Sequence, residues 1–480
     1  MSLPIEDPVF GGVNYTASAY MMELLYALGD GRDPGTGIKP FSRWSKNLMG
    51  PKLPEALLNY NVGMQVNLLG GYPISKDIVP SAIFTAVFVI FTLTHLAIFV
   101  VNCGRNHYFY LSLYWVGYGI LRSLGFGLRI LWAHDITLVD MAIADECMLV
   151  LGNVALVASN LVLAQRLFSW RHPVGGARRL FRYTMYGMYL VVAGVIAMTV
   201  TASAVPYLYY LSSKVFWHYK ICVMVSSILI ILYSLTAISL LGLSYFFKPT
   251  RKDENLYTYQ PWWIESFSPF YFVKKGAKLE AEETFMKRNH NHRHAVRVIA
   301  ATHHHYNMVE GLTNQRGDLT HNTSILIIFI STTFLFLASV VRCIAVFQAN
   351  AAFRGGRVCE PVLMYIVWGL LEVVINILFL VGRVDLRFYR PDKLPKKVRA
   401  IITAEQSVMV SIITAEQSFF ASRNISQNVS DEEESEAEDM DDFSYTESPP
   451  SRTAAPPGYE FKNDKLEEST SNDNESDFNF

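Results

Sequence analysis

The sequence predicts an all-α, polytopic membrane protein, a seven-transmembrane-helix bundle with its N-terminus outside and its C-terminus in the cytosol. The first observation is a series of long apolar stretches, each at or above the ~20 residues that cross a hydrocarbon core of ~30 Å. Lipid offers the backbone no hydrogen-bond partners, and the stretches lack the strict alternation of barrel strands, so each is predicted to be a helix. The seven stretches are residues 79–102, 107–132, 139–168, 183–205, 215–247, 325–349 and 361–384.

The second observation is that the connecting loops alternate between rich and poor in arginine and lysine. Basic residues are retained on the cytoplasmic side of a membrane, so the rich loops are predicted to be cytosolic. The loop after the third stretch carries Arg171, Arg178 and Arg179. The loops after the fifth and seventh stretches are also basic, from Lys248 onward and from Arg383 onward. An odd number of spans then places the two termini on opposite sides.

The sequence divides into four predicted regions. Residues 1–78 form an extracytoplasmic N-terminal segment, in which Asn14-Tyr15-Thr16 is a predicted glycosylation acceptor. The bundle occupies residues 79–390 and includes a long cytosolic loop, 248–322. Residues 391–423 hold a duplicated Ile-Ile-Thr-Ala-Glu-Gln-Ser segment with an eleven-residue period, which is compatible with an amphipathic helix or with simple duplication. Residues 424–480 are acidic and poor in aliphatic residues, which predicts a disordered tail.

Two features of the tail indicate regulation. Ser430, Ser435 and Ser444 lie among acidic residues, a context that suits acid-directed kinases. The segment Pro456-Pro457-Gly458-Tyr459 matches the ligand of WW domains, which read two prolines in polyproline II conformation and a tyrosine ring. A WW-domain ubiquitin ligase is therefore a predicted partner. We expect Tyr459→Ala to abolish binding in a WW-domain pull-down, and unchanged binding would contradict this assignment.

Charged and amide side chains within the spans form the candidate site, because such groups usually face a cavity or a partner. Arg122 lies roughly 15 Å below the outer end of span two at a rise of 1.5 Å per residue, and Glu372 roughly 16 Å below the outer end of span seven. The sequence thus predicts a layer of matched charges in the outer half of the bundle. It leaves open whether this layer is a structural network or a polar pocket for an unknown small-molecule or lipid ligand. The candidate residues are Arg122, Asp145, Glu146, Asn153, Asn160, Arg342, Glu372 and Asn376.

The sequence offers little support for an enzyme or a nucleic-acid-binding protein. It contains no nucleophile elbow, Gly-rich phosphate loop or His-Glu-x-x-His motif, and we predict no cofactor and no bound metal. The histidines between His290 and His305 are read as a solvated surface, with zinc binding or pH sensing as the alternatives. Only 17% of residues are charged and the formal net charge is −1.

The bundle resembles fungal seven-span membrane proteins, including the lipid-translocating-exporter or aminocholesterol-resistance type. Those proteins carry an arginine-bearing run at the end of span six, then an outer Phe-x-Gly-type loop and a glutamate before span seven. The corresponding segments here are Val341-Arg342-Cys343-Ile344, Phe353-Arg354-Gly355-Gly356 and Glu360-Pro361. Val346 and Ala349 stand where those proteins carry a second arginine and a glutamate.

This resemblance implies a transporter or lipid-handling protein in the plasma membrane or an endosomal or vacuolar membrane. The seven-span plan is also similar to that of a receptor or sensor that signals through the long cytosolic loop and the tail. The Asp-Arg-Tyr and Asn-Pro-x-x-Tyr motifs of G-protein-coupled receptors are absent from spans three and seven. An adaptor that presents the WW-domain ligand at a membrane is the third alternative.

Overall fold

The computed structural model divides the chain into two units, Met1–Pro395 and Lys396–Phe480. The residues that it describes are 9–10, 13–14, 20, 24, 27, 36–247, 258–260, 264, 266–277, 297–298, 321–348, 352–389, 392–393, 411–412, 414–416 and 418–419. In the second unit the described residues are helical and exposed.

The described part of the first unit contains nine helices of ten or more residues. Two short helices, α1 (Ile38–Met49) and α2 (Glu55–Met64), precede the bundle. The long helices are α3 (Ile78–Cys103), α4 (Leu111–His134), α5 (Val139–Arg171), α6 (Arg179–Leu208), α7 (Ser213–Phe246), α8 (His321–Gln348) and α9 (Pro361–Val381). Within α9, residues Tyr365–Leu370 are π-helical.

Short elements connect the long helices. Helical turns occur at Ser75–Asp77, Pro173–Gly176, Ala352–Arg354, Arg357–Cys359 and Val384–Arg387. Strands β1 (Val9–Phe10) and β2 (Val13–Asn14) pair in antiparallel fashion. Strand β3 (Thr258–Gln260) lies between β4 (Arg297–Val298) and β5 (Asp392–Lys393), antiparallel to both. These strands are too short to alter the all-helical character of the fold.

Six of the described helices are long and apolar enough to cross a membrane: α3, α5, α6, α7, α8 and α9. The prediction of an all-α, multi-pass membrane protein is therefore confirmed. Helix α4 does not satisfy the same hydropathy criterion, because Arg122, Arg129 and several glycines dilute its apolar residues. It is nevertheless a helix of 24 residues that packs between α3 and α5.

Helix α5 is the centre of the bundle. Of its membrane-length segment 72% is buried, against 50% or less for the other five candidate spans. It contacts α4, α6, α7 and α8. Small residues and branched aliphatics dominate its buried positions, which allows helices to approach it on several sides.

The N-terminal segment from Thr36 to Tyr72 lies across one end of the bundle. The backbone N–H of Gly37 donates to the Pro206 carbonyl (2.8 Å), and Trp44 stacks on Tyr210 with ring centroids 5.3 Å apart. At the other end of the segment, the N–H of Ala352 donates to the Gln65 carbonyl (2.7 Å). The segment therefore covers the end at which α6 and α8 finish and α7 and α9 begin.

Candidate functional site

The polar residues within the bundle separate into distinct groups rather than one layer. The first is a closed ion pair between Arg122 on α4 and Glu372 on α9, both fully buried. The guanidinium is bidentate: Nε donates to one carboxylate oxygen (2.6 Å) and Nη2 donates to the other. Tyr118 donates its hydroxyl to the same carboxylate (2.5 Å). Sequence depth alone indicated that Arg122 and Glu372 lie at the same level, and the structure brings them into contact.

Neighbouring residues complete the coordination of this pair. Nη1 of Arg122 donates to the Leu149 carbonyl (2.7 Å), and its guanidinium carbon lies 5.4 Å from the centroid of the Trp368 ring. Gly152 makes room for the guanidinium, because a Cβ there would lie 2.9 Å from Nε of Arg122. Asn376 donates to the Glu372 carbonyl (2.7 Å) and to the Tyr118 hydroxyl (3.4 Å). Each guanidinium nitrogen of Arg122 and each carboxylate oxygen of Glu372 therefore has a hydrogen-bond partner within the protein, as expected of a structural network.

A second ion pair joins α4 to α5. Arg129 lies two turns beyond Arg122, and its Nη1 is 3.6 Å from the Asp145 carboxylate, with both side chains buried. Nη2 of Arg129 also donates to the carbonyls of Gly70 (2.9 Å) and Gly71 (3.1 Å). The pair thus attaches the N-terminal segment to the bundle. Arg129 was not among the predicted site residues, although its spacing of seven from Arg122 places both on one helix face.

Glu146 and Arg342 form the third group, and these residues line a cavity. Glu146 on α5 is partly buried, and Arg342 on α8 is 3% exposed. The two charges interact electrostatically, yet no direct hydrogen bond joins them, and Nη1 of Arg342 has no hydrogen-bond partner among the described residues. Buried guanidinium groups are normally paired, so this one is unusual.

The cavity lies between α5, α6, α7 and α8 and beneath the N-terminal segment. Its volume is about 120 Å³. Its walls are mainly apolar, with a few polar groups, as is typical of small-molecule sites. Besides Glu146 and Arg342 the lining residues are Ile38, Gln65, Val66, Asn67, Leu68, Leu69, Tyr72, Ala202, Ser203, Pro206, Tyr207, Phe216, Tyr219, Lys220, Val223, Ala345 and Val346.

The remaining candidate residues lie deeper on α5. Asn160 donates to the hydroxyls of Ser331 (2.9 Å) and Thr332 (3.2 Å) on α8. Asn153 is fully buried, and neither amide atom has a hydrogen-bond partner among the described residues. The predicted stripe Glu146, Asn153 and Asn160 therefore connects the cavity wall to a helix contact, and only Glu146 lines the cavity.

A polar cluster at the opposite end of the bundle was not predicted. The sequence predicts that Arg383 is a basic residue of a cytosolic loop. In the structure it is fully buried. It is bidentate to Asp385 (2.9 and 2.7 Å), and its Nη1 donates to the carbonyls of Pro269 (3.1 Å) and Tyr271. Asn102 at the end of α3 donates to Asp385 (2.9 Å). The cluster holds residues 266–277 of the long loop against the bundle.

The electrostatics of this cluster differ between its members. Burial alone would raise the pKa of Asp385, but the hydrogen bonds and charge of Arg383, with the Asn102 amide, outweigh it and hold that pKa below its usual range. Burial lowers the pKa of His107, whose Nε2 lies 3.2 Å from the Asp385 carbonyl oxygen. The hydrogen bond to the Asp385 carbonyl and the Asp385 charge raise this pKa, and the Arg383 charge lowers it, but burial has the largest effect. His107 is therefore neutral in the folded protein near neutral pH.

The lowered pKa of His107 predicts a pH-dependent stability. Below about pH 6.5 the unfolded chain binds a proton at this residue more readily than the folded protein does. The free energy of unfolding therefore decreases as the pH is lowered. The loss is at most about 1.4 kcal/mol per pH unit for one group. In detergent solution, the thermal midpoint of His107→Gln should fall less than that of the wild type between pH 7.5 and pH 5. Parallel curves for the two proteins would contradict this expectation.

Several predicted sites lie outside the described residues. These are the phosphorylation sites Ser430, Ser435 and Ser444, the WW-domain ligand Pro456, Pro457 and Tyr459, and the histidines between His290 and His305. Asn14 belongs to β2. All four described cysteines of the membrane-length helices and Cys359 are free thiols.

Comparison with known proteins places part of the chain in context. Residues 173–389 match the model of a family described as a protein of unknown function, DUF3112. No curated protein and no solved structure matches the chain. Together with the apolar helices, the match supports an integral membrane protein similar to an uncharacterised family. The matched residues include Arg342, Glu372 and Arg383, whereas Arg122 and Glu146 precede them.

Proposed function

We propose that α3 to α9 all cross the membrane, with the N-terminus outside and the C-terminus in the cytosol. At 24 residues and 1.5 Å per residue, α4 is roughly 36 Å long, enough for a hydrocarbon core of ~30 Å. It packs between two candidate spans and pairs its arginines with acids on α9 and α5. The N-terminal segment contacts the ends of α4, α6 and α8, which is the arrangement that alternating spans produce.

Glycosylation at Asn14 tests this orientation. If residues 1–78 lie outside, the expressed protein should migrate faster after glycosidase treatment, and Asn14→Gln should abolish that shift. Asn424→Gln is the matched control, because its sequon lies in the cytosolic tail and should stay unmodified. A shift that depends on Asn424 rather than Asn14 would reverse the proposed orientation.

We infer that the protein is a transporter or lipid-handling protein whose ligand enters the cavity between α5, α6, α7 and α8. The observation that carries this proposal is that Arg342 lines a largely apolar cavity while its buried Nη1 has no hydrogen-bond partner in the described part of the chain. A buried donor without a partner is costly, and a ligand acceptor would satisfy it. The guanidinium and carboxylate of the Arg122–Glu372 pair are already hydrogen-bonded and offer no free group to a ligand. The cavity is therefore the better candidate for ligand binding.

A lipid-transfer experiment tests this function. The full chain, reconstituted into liposomes that contain a fluorescently labelled phospholipid, should accelerate movement of the label between leaflets, as measured by quenching of the outer leaflet. Arg342→Gln should reduce the rate at equal protein density. Lys214→Gln, an exposed change on α7 outside the cavity, should not. A rate that is unchanged in Arg342→Gln would contradict the cavity as the route.

A receptor or sensor is the second candidate, and one observation favours it. Residues 266–277 of the long loop dock against the bundle through Arg383, so a conformational change in the spans would reach the loop. Binding to the cavity without lipid transfer would favour this alternative. In either case we propose that a WW-domain ubiquitin ligase binds Tyr459 in the tail and sorts the protein between the plasma membrane and endosomal or vacuolar membranes. Presentation of that ligand alone would make the protein an adaptor.

A further inference from the structure

The cavity carries charges of both signs at separate positions. The Glu146 carboxylate belongs to α5, whereas Arg342 belongs to α8 and Lys220 to α7. Glu146 and Arg342 attract each other without a hydrogen bond between them, and Nη1 of Arg342 remains without an acceptor among the described residues. In the Arg122–Glu372 pair, by contrast, every carboxylate oxygen is bonded. The difference leaves both members of the cavity pair available to a third group.

The rest of the cavity surface suits an apolar body. Ala202, Val223 and Val346 line it on three different helices, and Leu68 and Leu69 line it from the N-terminal segment. Tyr207 and Tyr72 are hydrogen-bonded to each other, and the Tyr72 hydroxyl donates to the Val66 carbonyl (3.2 Å), so these polar tips are already satisfied. Among the described lining residues, the free polar capacity is therefore concentrated at Glu146, Arg342 and the Asn67 amide, whose two polar atoms have no hydrogen-bond partner in the described part of the chain.

We propose that the ligand is a zwitterionic amphiphile, with a cationic group on Glu146, an anionic group on Arg342 and an apolar body against the aliphatic wall. This inference rests on the proposed function and names the ligand class of the same site. An anion without a cationic group would face the Glu146 carboxylate, and a cation alone would face Arg342 and Lys220. A neutral apolar ligand would leave the Arg342 donor unsatisfied. Of these classes, only a zwitterion presents an oppositely charged partner to both Glu146 and Arg342.

A matched set of single-chain probes tests this assignment on the purified full chain in nonionic detergent. The probes are a lysophosphatidylethanolamine, a lysophosphatidic acid and an alkylamine of the same chain length, and free phosphoethanolamine. Binding is measured as the concentration-dependent rise in thermal midpoint. We expect the wild type to bind the zwitterionic lipid at least about tenfold more tightly than the anionic or cationic one. Strong binding of free phosphoethanolamine would indicate a soluble zwitterion as the natural ligand, and its absence a membrane lipid.

Variants of the two charged residues separate recognition from folding. Glu146→Gln should weaken the zwitterionic lipid and strengthen the anionic one, which reverses their order, whereas a merely destabilised protein would lose both. Arg342→Lys should keep the wild-type order, Arg342→Gln should lose both phosphate-bearing lipids, and Lys214→Gln should match the wild type. If Glu146→Gln does not fold, Arg342→Gln tests the other wall, because it should lose both phosphate-bearing lipids and keep the alkylamine, whereas a merely destabilised protein would lose all three probes.

The outcomes distinguish this inference from the function on which it rests. Equal affinities of the wild type for the three lipids, or an unchanged order in Glu146→Gln, would overturn the zwitterion assignment. If lipid transfer still depends on Arg342 in that case, the proposed function stands. If the wild type prefers the zwitterion but transfers no lipid, the ligand assignment would be supported and the proposed transport function would be excluded.

Discussion

Arg122→Gln is expected to destabilise the folded protein by about 3–5 kcal/mol. The substitution removes both charged hydrogen bonds to Glu372 and leaves its carboxylate fully buried without a cation. The Tyr118 hydroxyl alone cannot replace a guanidinium that binds both oxygens. The free energy of unfolding of the purified protein in mixed detergent–denaturant solution measures the loss. Glu372→Gln should cost a similar amount, because it leaves the guanidinium buried and unpaired.

The double substitution Arg122→Met/Glu372→Leu provides the decisive control. Replacing a whole buried ion pair by apolar residues is often close to neutral, so the double variant should be more stable than either single variant. Arg179→Gln, an exposed change at the start of α6, should alter stability by no more than about 0.5 kcal/mol. A double variant as unstable as the sum of both singles would show that the residues do not act as a pair.

Arg383→Gln is expected to release residues 266–277 from the bundle. Arg383 supplies both hydrogen bonds that hold the carbonyls of Pro269 and Tyr271, and its guanidinium carbon lies 4.8 Å from the centroid of the Phe272 ring. Its loss also leaves Asp385 buried without its cation. Trypsin should then cleave at Lys274 and Lys275 at least about tenfold faster, which corresponds to about 1.4 kcal/mol of local opening.

Arg105→Gln is the matched control for this experiment. Arg105 donates to the Val273 carbonyl (2.8 Å) and lies 5.4 Å from the Phe272 centroid, so it touches the same segment. Unlike Arg383, it does not pair with a buried carboxylate, and we expect a smaller increase in cleavage. Equal cleavage of Arg383→Gln and the wild type would contradict the role of the cluster in docking the loop.

The backbone of Arg383 also argues that this cluster is maintained by its contacts. Its φ of +46° is a left-handed conformation, which is uncommon for a residue with a side chain. Such a conformation costs of order 1–3 kcal/mol and persists only where surrounding contacts determine it. The chain turn at Arg383 directs the guanidinium under the bundle rather than into solvent.

Much of the fold could be predicted from the sequence because hydrophobic length is a local property. Helices α3 to α9 coincide with the seven apolar stretches to within a few residues at most ends. Depth is equally local, since helical rise converts residue number into distance, and it placed Arg122 level with Glu372. Helix α4 was the hardest case, because its arginines reduce its hydropathy while their partners lie on other helices.

The partners themselves could not be predicted in full. The basic composition of the loop predicts an exposed Arg383, whereas this residue is buried and hydrogen-bonded to Asp385 and to two loop carbonyls. The sequence does not indicate the role of Arg129, because its partners include the backbone carbonyls of Gly70 and Gly71. Every residue has a backbone carbonyl, so residue identity does not reveal such a partner. For Glu146 and Arg342, the sequence placed both in the outer half but did not separate them from the closed Arg122–Glu372 pair.

By itself, then, the sequence predicted a multi-pass membrane protein, the positions and approximate lengths of its long helices, and the shared depth of Arg122 and Glu372. All of these follow from composition along the chain. Only the tertiary structure decided which charges neutralise one another and which remain open to a cavity. The rotation and position of each helix determine which residues distant in sequence come within hydrogen-bond distance, and this cannot be deduced from one stretch of sequence. Arg122 and Arg342 have the same chemistry, yet Arg122 is bidentate to Glu372, whereas Arg342 lines the cavity and its Nη1 has no hydrogen-bond partner among the described residues.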